Sequence, residues 1–552
     1  MKKTSLSFFL VLLLSCSLFS QTYNGNAYRK NIHPTKNVIV MISDGTSIGV
    51  ISAARWYQIY NRLGGENLAI DPYLCGTVKT FSSNAPIGDS APTTSTYMTG
   101  MPQQTGNIAI YPPVDKDNDV IQVDSSMSYQ PLATLLEAVA IEQKKATGLV
   151  VTCEFLHATP ADCAAHHYDR GRSDLLASQM AYQNLDVMFG GGISFITDDI
   201  KQHFKNKDIS YLTDNINAFR KHEKGKIWSL WCEKAMPYDI DRDTSQIPSL
   251  QEMTEKAISL LSQNENGFFL MVEGSQVDWA AHDNDAFACI TEYLAFDKAV
   301  KSAMEFALQD GNTTVIVLSD HGNSGFTIGQ GDIKYDVTSI TDLFGSVSKY
   351  KSTAGGLRKI LSKEKSNNFK TVIKQYTDID ITNKELKAII ESEKFNAENY
   401  MISEGKNMKT KLIALMNRDT YFGFTTTGHT GEDVFLAAYH PQGDIPVGMN
   451  TNVEINQYLS DACGLQKRLP ELTKEIFVKH TDVFSGYTYS VDKSAKFPIL
   501  TVKKGKNKLV IPAFKSVVYL NGKPYDIGSV VVYIDKTDTF YLPQISYLIK
   551  NF

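Results

Sequence analysis

The sequence has no excess of basic residues, no internal repeat and no low-complexity tract. Its 552 residues carry 55 Lys and Arg against 60 Asp and Glu, a net charge of −5. This argues against a nucleic-acid-binding protein, whose phosphate contacts need a clear basic surplus. A hydrophobic content of 43% with 36 glycines and 18 prolines is ordinary for globular proteins, which excludes a disordered chain or a collagen-like repeat.

No apolar run reaches the length of about 20 residues that a transmembrane helix needs. The run from Leu6 to Leu14 is shorter and follows Lys2 and Lys3. This arrangement is typical of a secretory signal peptide, which we place at residues 1–20. The sequence therefore predicts a periplasmic or secreted protein. A lipid anchor through Cys16 is the alternative, because residues 13–16 loosely resemble a lipobox.

Cysteines are few, which excludes a small disulfide scaffold. Six follow Cys16, and they lack the spacing of a zinc ribbon. Outside the cytoplasm they could pair, but six cysteines allow about 15 pairings and the sequence assigns none. These residues are Cys75, Cys153, Cys163, Cys232, Cys289 and Cys463.

Buried strands alternate with helical segments along most of the chain. This predicts an α/β fold with a mostly parallel central sheet and helices on both faces. Ligands in such folds bind beyond the carboxyl ends of the strands, so the residues after each strand are the candidates. The predicted strands are Asn37–Ser43, Gly148–Cys153, Gly267–Val272, Thr313–Ser319 and Val434–Tyr439.

Two segments differ from this alternating pattern. Residues 322–427 are polar and rich in lysine, and we interpret them as a helical insertion that packs over or beside the core. Short strand-like runs begin near His480, and Asn521-Gly522 is typical of a hairpin turn. The expected organisation is a catalytic domain over 21–480 and a small β module over 481–552.

Carboxylates and histidines follow the predicted strands. Such a convergence of like charges requires cations between them. Asp278 and His282 are four residues apart and share a helix face, and with His429 they suit Zn²⁺. Asp44, Asp320 and His321 form a second zinc-like set. A set of oxygens suits Mg²⁺ and comes from Asp44, Thr159 and Glu273.

Ser90 is the candidate nucleophile. Pro92 suits the first turn of a helix, which puts Ser90 at the helix N-terminus, where an anion is stabilised. No histidine lies near it in sequence, so a zinc ion is the expected activator. A role as helix cap is the alternative from the local sequence.

Seven motifs in order resemble the alkaline phosphatase family, over about residues 37–465. They include VIVLSDHG at Val315–Gly322 and HTGEDV at His429–Val434. The others lie at Asn37–Arg55, Asp89–Gly100, His157–Arg170, Leu185–Gly192 and Phe268–His282. The resemblance implies a zinc- and magnesium-dependent phosphatase that hydrolyses phosphate monoesters with broad specificity.

The resemblance also implies a role for each site residue. Ser90 would carry a phosphoserine intermediate, and Arg170 would hold two phosphate oxygens through its planar guanidinium. The two zinc sets and the magnesium set would be those given above. Family members are commonly homodimers, so a homodimer is one open alternative for the assembly.

Two positions depart from the most familiar bacterial pattern. His157 stands where those enzymes carry Asp, so it would bind or neighbour the third metal, and that site could accept zinc as well as magnesium. Trp279 stands where they carry Lys. It would line the phosphate site without supplying positive charge, or simply pack as an aromatic beside the pocket.

Other functions remain as alternatives. Phosphodiesterases of the wider superfamily use the same zinc pair but lack the third-metal set, so Thr159 and Glu273 favour a monoesterase. Sulfatases need an Arg shortly after the nucleophile and Pro, which the residues after Ser90 do not provide. An inactive phosphate- or metal-binding protein is the non-enzymatic alternative.

Overall fold

The computed structural model describes residues 31–331, 333–392 and 407–550. The predicted signal peptide and Cys16 lie outside these residues. The six later cysteines are free thiols. Within the described ranges, no helix has both the length and the apolar character that crossing a membrane requires.

Strands and helices alternate over residues 37–318, as predicted. The strands are β1 Asn37–Ser43, β2 Leu74–Lys79, β3 Ala146–Glu154, β4 Val187–Gly191, β5 Ser210–Leu212, β6 Ile227–Leu230, β7 Phe268–Gly274 and β8 Thr313–Leu318. The helices are α1 Ile48–Asn61, α2 Ser90–Thr99, α3 Leu135–Gln143, α4 Ala158–Ala164, α5 Ser173–Tyr182, α6 Asp198–Asn206, α7 Ile216–Lys221, α8 Leu250–Leu261, α9 Gln276–His282 and α10 Ala286–Asp310.

The lysine-rich segment after β8 is mainly helical. It contains short strands β9 Gly322–Asn323, β10 Thr327–Ile328, β11 Phe422–Gly423 and β12 His429–Thr430, and helices α11 Ile340–Phe344, α12 Ala354–Leu361, α13 Phe369–Thr377, α14 Asn383–Ser392 and α15 Met408–Asn417. Leu357, Phe369 and Leu412 are buried in the same apolar cluster as one face of the central sheet. The helices therefore pack on the core through their apolar sides.

The last two strands of the main sheet in sequence are β13 Val434–Tyr439 and β14 Gly448–Thr451. They are followed by α16 Asn452–Cys463 and α17 Leu469–Ile476. Its ten strands run in the order β14-β2-β13-β8-β1-β7-β3-β4-β6-β5. Every pair is parallel except the two that β13 makes with β2 and β8. All five predicted strands belong to this sheet, which confirms a mostly parallel α/β fold.

The sheet is buried on both faces. Along β1, Ile39 and Met41 face one apolar cluster, and Val38, Val40 and Ile42 face the other. Successive strand residues point to opposite faces, so a strand covered by helices on both sides is apolar throughout. This burial explains why the strand was recognisable as a continuous apolar run.

The C-terminal residues form antiparallel sheets. The elements are β15 Val478–Lys479, α18 His480–Val483, β16 Thr488–Asp492, β17 Ile499–Lys504, β18 Asn507–Pro512, β19 Val517–Leu520, β20 Lys523–Asp526, β21 Val532–Ile534, β22 Thr539–Leu542 and α19 Tyr547–Lys550. Strands β16 to β20 form one sheet, and β15, β22 and β21 form another. The hairpin expected at Asn521-Gly522 joins β19 to β20.

Candidate active site at the carboxyl edge of the sheet

Polar residues lie at the carboxyl ends of the strands, along one edge of the sheet. Asp44 directly follows β1, Glu273 lies near the end of β7, and Asp320 lies two residues after β8. Because β13 runs antiparallel to β8, the segment before β13 arrives at this same edge. That segment contains His429, whose strand β12 pairs with β9.

The first predicted zinc set is assembled. Asp278 and His282 lie on α9, and the Oδ2 atom of Asp278 is 3.5 Å from the Nε2 atom of His282. The Nε2 atom of His429 is 3.8 Å from the Oδ1 atom of Asp278. One ligand atom of each residue lies within 4.8 Å of the others, which is close enough for one metal ion.

Backbone carbonyls orient the two histidines of this set. The Nδ1 atom of His282 donates to the Thr427 carbonyl at 2.7 Å, and that of His429 donates to the Gly88 carbonyl at 2.9 Å. A carbonyl only accepts, so Nδ1 carries the proton in both neutral rings. Their unprotonated Nε2 atoms then face each other at 3.1 Å. Two such lone pairs repel, and a metal ion bound by both nitrogens would relieve this repulsion.

The second predicted zinc set is also assembled, and it is fully buried. The Nε2 atom of His321 is 3.4 Å from Asp44 Oδ1 and 3.6 Å from Asp320 Oδ2. The Nδ1 atom of His321 donates to the Gly322 carbonyl at 3.1 Å, which again leaves Nε2 facing the carboxylates. This arrangement of imidazole and carboxylate donors fits a divalent cation.

Glu273 of the third predicted set lies beside the second set. Glu273 and Thr159 are fully buried, and Glu273 neighbours Asp44. The Oε1 atom of Glu273, the Oγ1 atom of Thr159 and the Nδ1 atom of His157 are buried without a hydrogen-bond partner among the described residues. Buried polar atoms are rarely left in this state, and a bound cation would satisfy them.

The electrostatics of the carboxylates also favour cations. Burial, followed by the charge of Asp320, raises the pKa of Asp44 well above its usual value. Burial likewise raises the pKa of Asp320, and it raises that of Glu273 to about 7. Since cations stabilise ionised carboxylates, metal binding would reverse these shifts. The residues present therefore fit the expected metals.

Ser90 lies at the first position of α2, as the sequence predicted from Pro92. Its Oγ atom is 3.2 Å from the Nε2 atom of His321 and donates to Asp44 Oδ1 at 3.4 Å. The hydroxyl therefore touches two residues of the second zinc set. It also lies at the positive end of a helix dipole, which stabilises a bound anion.

Asp89, which directly precedes Ser90 in the sequence, holds the guanidinium of Arg170. The NH1 atom of Arg170 donates to Asp89 Oδ1 at 2.7 Å. Burial alone would raise the pKa of Asp89, but Arg170 lowers it to about 2, so the pair stays ionised. The NH2 atom of Arg170 lies 3.2 Å from the Nε2 atom of His157.

Trp279 lies on α9 next to Asp278, and its ring packs edge-on against that of His157 at 5.8 Å between centroids. The side chain is partly buried. Its position beside the third set is compatible with both expectations for this residue, a wall of the phosphate site and a packed aromatic.

Several residues that support the site were not predicted. Gly45 has a φ of +54°, and a Cβ there would lie 2.1 Å from Asp278 Oδ1. The side-chain amide of Asn323 donates to the same oxygen at 2.7 Å. Cys153 places its thiol within 4.8 Å of ligand atoms of His157 and Glu273. Gly45 lies within one of the seven motifs, and Asn323 directly follows another. Both residues, however, adjoin Asp278 from segments that are distant from it in sequence.

Comparisons with known proteins agree with the geometry. A sequence model described as "Alkaline phosphatase" matches residues 35–465. Alkaline phosphatase 4 of Bacillus subtilis is 32% identical over 475 residues, 82% of this chain and 95% of the relative. Alkaline phosphatase 3 of the same organism is 32% identical over 478 residues, 82% of this chain and 96% of that protein.

A solved structure supports the fold. The alkaline phosphatase of Thermus thermophilus aligns with a TM-score of 0.68 at 22% identity, covering 81% of this chain and 96% of that one.

Proposed function

The chain belongs to the alkaline phosphatase family and is a metal-dependent phosphomonoester hydrolase, and we propose that it acts through a phosphoserine on Ser90 with two zinc ions and one magnesium ion. The observation that carries the metal assignment is the pair of Nε2 atoms of His282 and His429, 3.1 Å apart. With both Nδ1 protons on carbonyls, the two Nε2 lone pairs point at each other, and a metal ion bound by both nitrogens would make this arrangement favourable.

Each ion is assigned by the chemistry of its donors. Asp278, His282 and His429 would hold one zinc ion, since imidazole nitrogen suits zinc. Asp44, Asp320 and His321 would hold the other. Magnesium prefers oxygen ligands, which Asp44, Thr159 and Glu273 supply, and the neighbouring His157 makes zinc an alternative there.

When bound, such divalent ions would neutralise phosphate charge and lower the pKa of hydroxyl groups beside them. Arg170 would bind two non-bridging phosphate oxygens, because Asp89 holds one edge of its guanidinium in place. Ser90 lies at the N-terminus of α2, where the helix dipole also favours the phosphate.

The reaction would proceed in two displacements at phosphorus. The Oγ atom of Ser90, after losing its proton to solvent, would attack phosphorus. The bond between phosphorus and the leaving oxygen would break, and that oxygen would take a proton from water to give the alcohol. Water would then attack the phosphoserine, releasing inorganic phosphate and restoring the hydroxyl. The 3.2 Å and 3.4 Å contacts of Ser90 with His321 and Asp44 support its role as nucleophile.

The relatives favour this activity over both alternatives, the phosphodiesterase and the inactive binding protein. The buried third set, with its orphaned Thr159 and Glu273 oxygens, also supports a monoesterase. We further propose an extracytoplasmic location on the basis of Lys2, Lys3 and the apolar run after them. The homodimer stays a prediction.

Trapping the intermediate tests the role of Ser90. The enzyme is mixed with a phosphate monoester, quenched in acid and digested, and the peptide containing Ser90 is analysed for added phosphate. We expect phosphate on this peptide in the wild type and none in Ser90→Ala, whose turnover should fall by at least about 10³-fold.

Ser178→Ala is the matched control, since Ser178 is also buried but donates to the Phe514 carbonyl in the C-terminal region. Its turnover should stay close to that of the wild type. Normal turnover by Ser90→Ala, or phosphate found on another residue, would contradict the assignment.

A further inference from the structure

A cysteine thiol lies in the third metal set, where the sequence predicted only oxygen ligands and a histidine. Cys153 is near the end of β3 and is fully buried. Its Sγ atom lies 3.5 Å from Glu273 Oε2, and Sγ, one oxygen of Glu273 and one ring nitrogen of His157 lie within 4.8 Å of one another. This spacing allows all three residues to bind one ion.

The backbone holds the thiol in this position. Strand β3 pairs regularly with β7 only as far as Val150, and its register with β4 shifts between Val150 and Glu154. Beyond that point, the Ser275 hydroxyl accepts the amides of Thr152 and Cys153 at 3.1 Å and 3.2 Å. The irregular strand end is therefore fixed by Ser275, which follows β7 directly.

The groups around the thiol have unsatisfied bonding capacity. The Oε1 atom of Glu273, the Nδ1 atom of His157 and the Oγ1 atom of Thr159 are buried, and within the described part of the chain none has a hydrogen-bond partner. Leaving several such buried atoms unpaired is costly. A cation in contact with the thiol would remove the cost.

We propose that Cys153 is a sulfur ligand of the third metal ion and makes this site prefer zinc to magnesium. Magnesium selects oxygen ligands, whereas thiolate and imidazole together select zinc. On binding, the Sγ–H proton would pass to solvent and the thiolate would form the bond to zinc. The proposal rests on the proposed three-metal function, and it replaces magnesium by zinc at one site.

A second buried thiol provides the comparison. Cys163 is also fully buried, but its Sγ atom donates to the Thr159 carbonyl at 3.6 Å, and among the described residues it belongs to no group that could bind a metal ion. Cys163→Ser therefore controls for removing a buried thiol from this region. Cys153→Ser removes the sulfur with little change in volume, and Cys153→Ala removes any ligand at that position.

Cobalt spectroscopy tests the bond directly. The metal-depleted full-length enzyme and its variants are titrated with Co²⁺, whose bond to a thiolate gives a charge-transfer absorption in the near ultraviolet. We expect this band in the wild type and in Cys163→Ser, and its loss in both Cys153 variants. A wild type without the band, or a band that persists in the Cys153 variants, would overturn the proposal.

Metal content measured by mass spectrometry tests the preference. Each protein is dialysed against a buffer with a low concentration of free zinc and an excess of magnesium. The wild type should retain three zinc ions, whereas Cys153→Ser should retain two and one magnesium ion, with third-site zinc affinity lower by at least about tenfold. Two retained zinc ions also show that the variant is folded.

Two zinc ions and one magnesium ion in wild type and variant alike would overturn the role of Cys153 but leave the phosphatase assignment intact. Absence of bound metal from the wild type would overturn both proposals.

Discussion

The orientation of each histidine in the two zinc sets is set by one hydrogen bond to the backbone. The Nδ1 atoms of His282, His321 and His429 all donate to carbonyls, so each Nε2 atom faces the cluster. Fixing the tautomer in this way also increases the basicity of the ligand nitrogen. These hydrogen bonds therefore orient the three rings for metal binding.

Trp279 offers a test of how the site binds phosphate. A lysine at this position would place a positive charge beside the pocket that Trp279 cannot provide. We expect Trp279→Lys to bind inorganic phosphate about tenfold more tightly and to turn over more slowly if product release limits the rate. The measurement is inhibition by phosphate in steady-state assays.

Trp279→Phe is the control, since it keeps an aromatic ring next to His157 without adding charge. Equal phosphate inhibition in wild type and Trp279→Lys would show that the side chain only packs beside the pocket.

The relative positions of residues could be predicted where a single motif contains them. Asp278 and His282 meet because one helical turn separates them, and Ser90 begins its helix because Pro92 follows two residues later. Cys153 and Gly45 were missed, since their importance depends on contacts between segments distant in sequence. No local pattern marks a thiol as facing a glutamate 120 residues away.

At the scale of elements, the five longest buried strands of the main sheet were predicted, whereas the shorter buried strands β4 and β6 and the more exposed β2 and β14 were not. Strand β1 is buried throughout, whereas the edge strand β14 and its neighbour β2 are largely exposed or half-buried and carry no clear period. The reversed direction of β13 was also beyond prediction. That reversal is what brings His429 to the site.

The long helix α10 carries a buried carboxyl that links stability to pH. Glu292 is 5% exposed, and its Oε1 atom accepts from the Asp239 amide. Burial, with the charge of Asp239, raises its pKa from 4.5 to about 8. The folded state thus keeps a proton that the unfolded state loses, so stability falls as pH rises from 4.5 toward 8.

Glu292→Gln removes this dependence because glutamine stays neutral. Relative to wild type, the variant should gain stability with rising pH by up to about 1.4 kcal/mol per unit, levelling off above pH about 8. Denaturant midpoints from pH 5 to 9 measure the difference. Glu305→Gln, on the exposed side of the same helix, should show no such trend. A pH-independent difference for Glu292→Gln would contradict the account.

At the scale of the whole molecule, the C-terminal sheets are packed onto the α/β core. Val532, Ile534 and Tyr541 belong to the apolar cluster on one face of the main sheet, and Leu175 of α5 belongs to the C-terminal cluster. The two regions therefore share buried surface, although the boundary proposed at residue 480 stays a prediction.

Deleting residues 481–552 should expose that surface. We expect a lower thermal midpoint and a tendency to aggregate, because apolar side chains of the core lose their cover. The protein that stays soluble should still hydrolyse monoesters, as no proposed site residue lies in the deleted segment. The substitution Val532→Asp should also lower the thermal midpoint. An unchanged midpoint after deletion would mean that the module contributes nothing to the core.

The most direct test of a metal-dependent phosphomonoesterase compares para-nitrophenyl phosphate with its bis ester, with and without a chelator and after zinc and magnesium are restored. The account predicts fast cleavage of the monoester, slow cleavage of the diester, and loss of activity in chelator that metal restores. Faster cleavage of the diester, or monoester cleavage unaffected by the chelator, would contradict it.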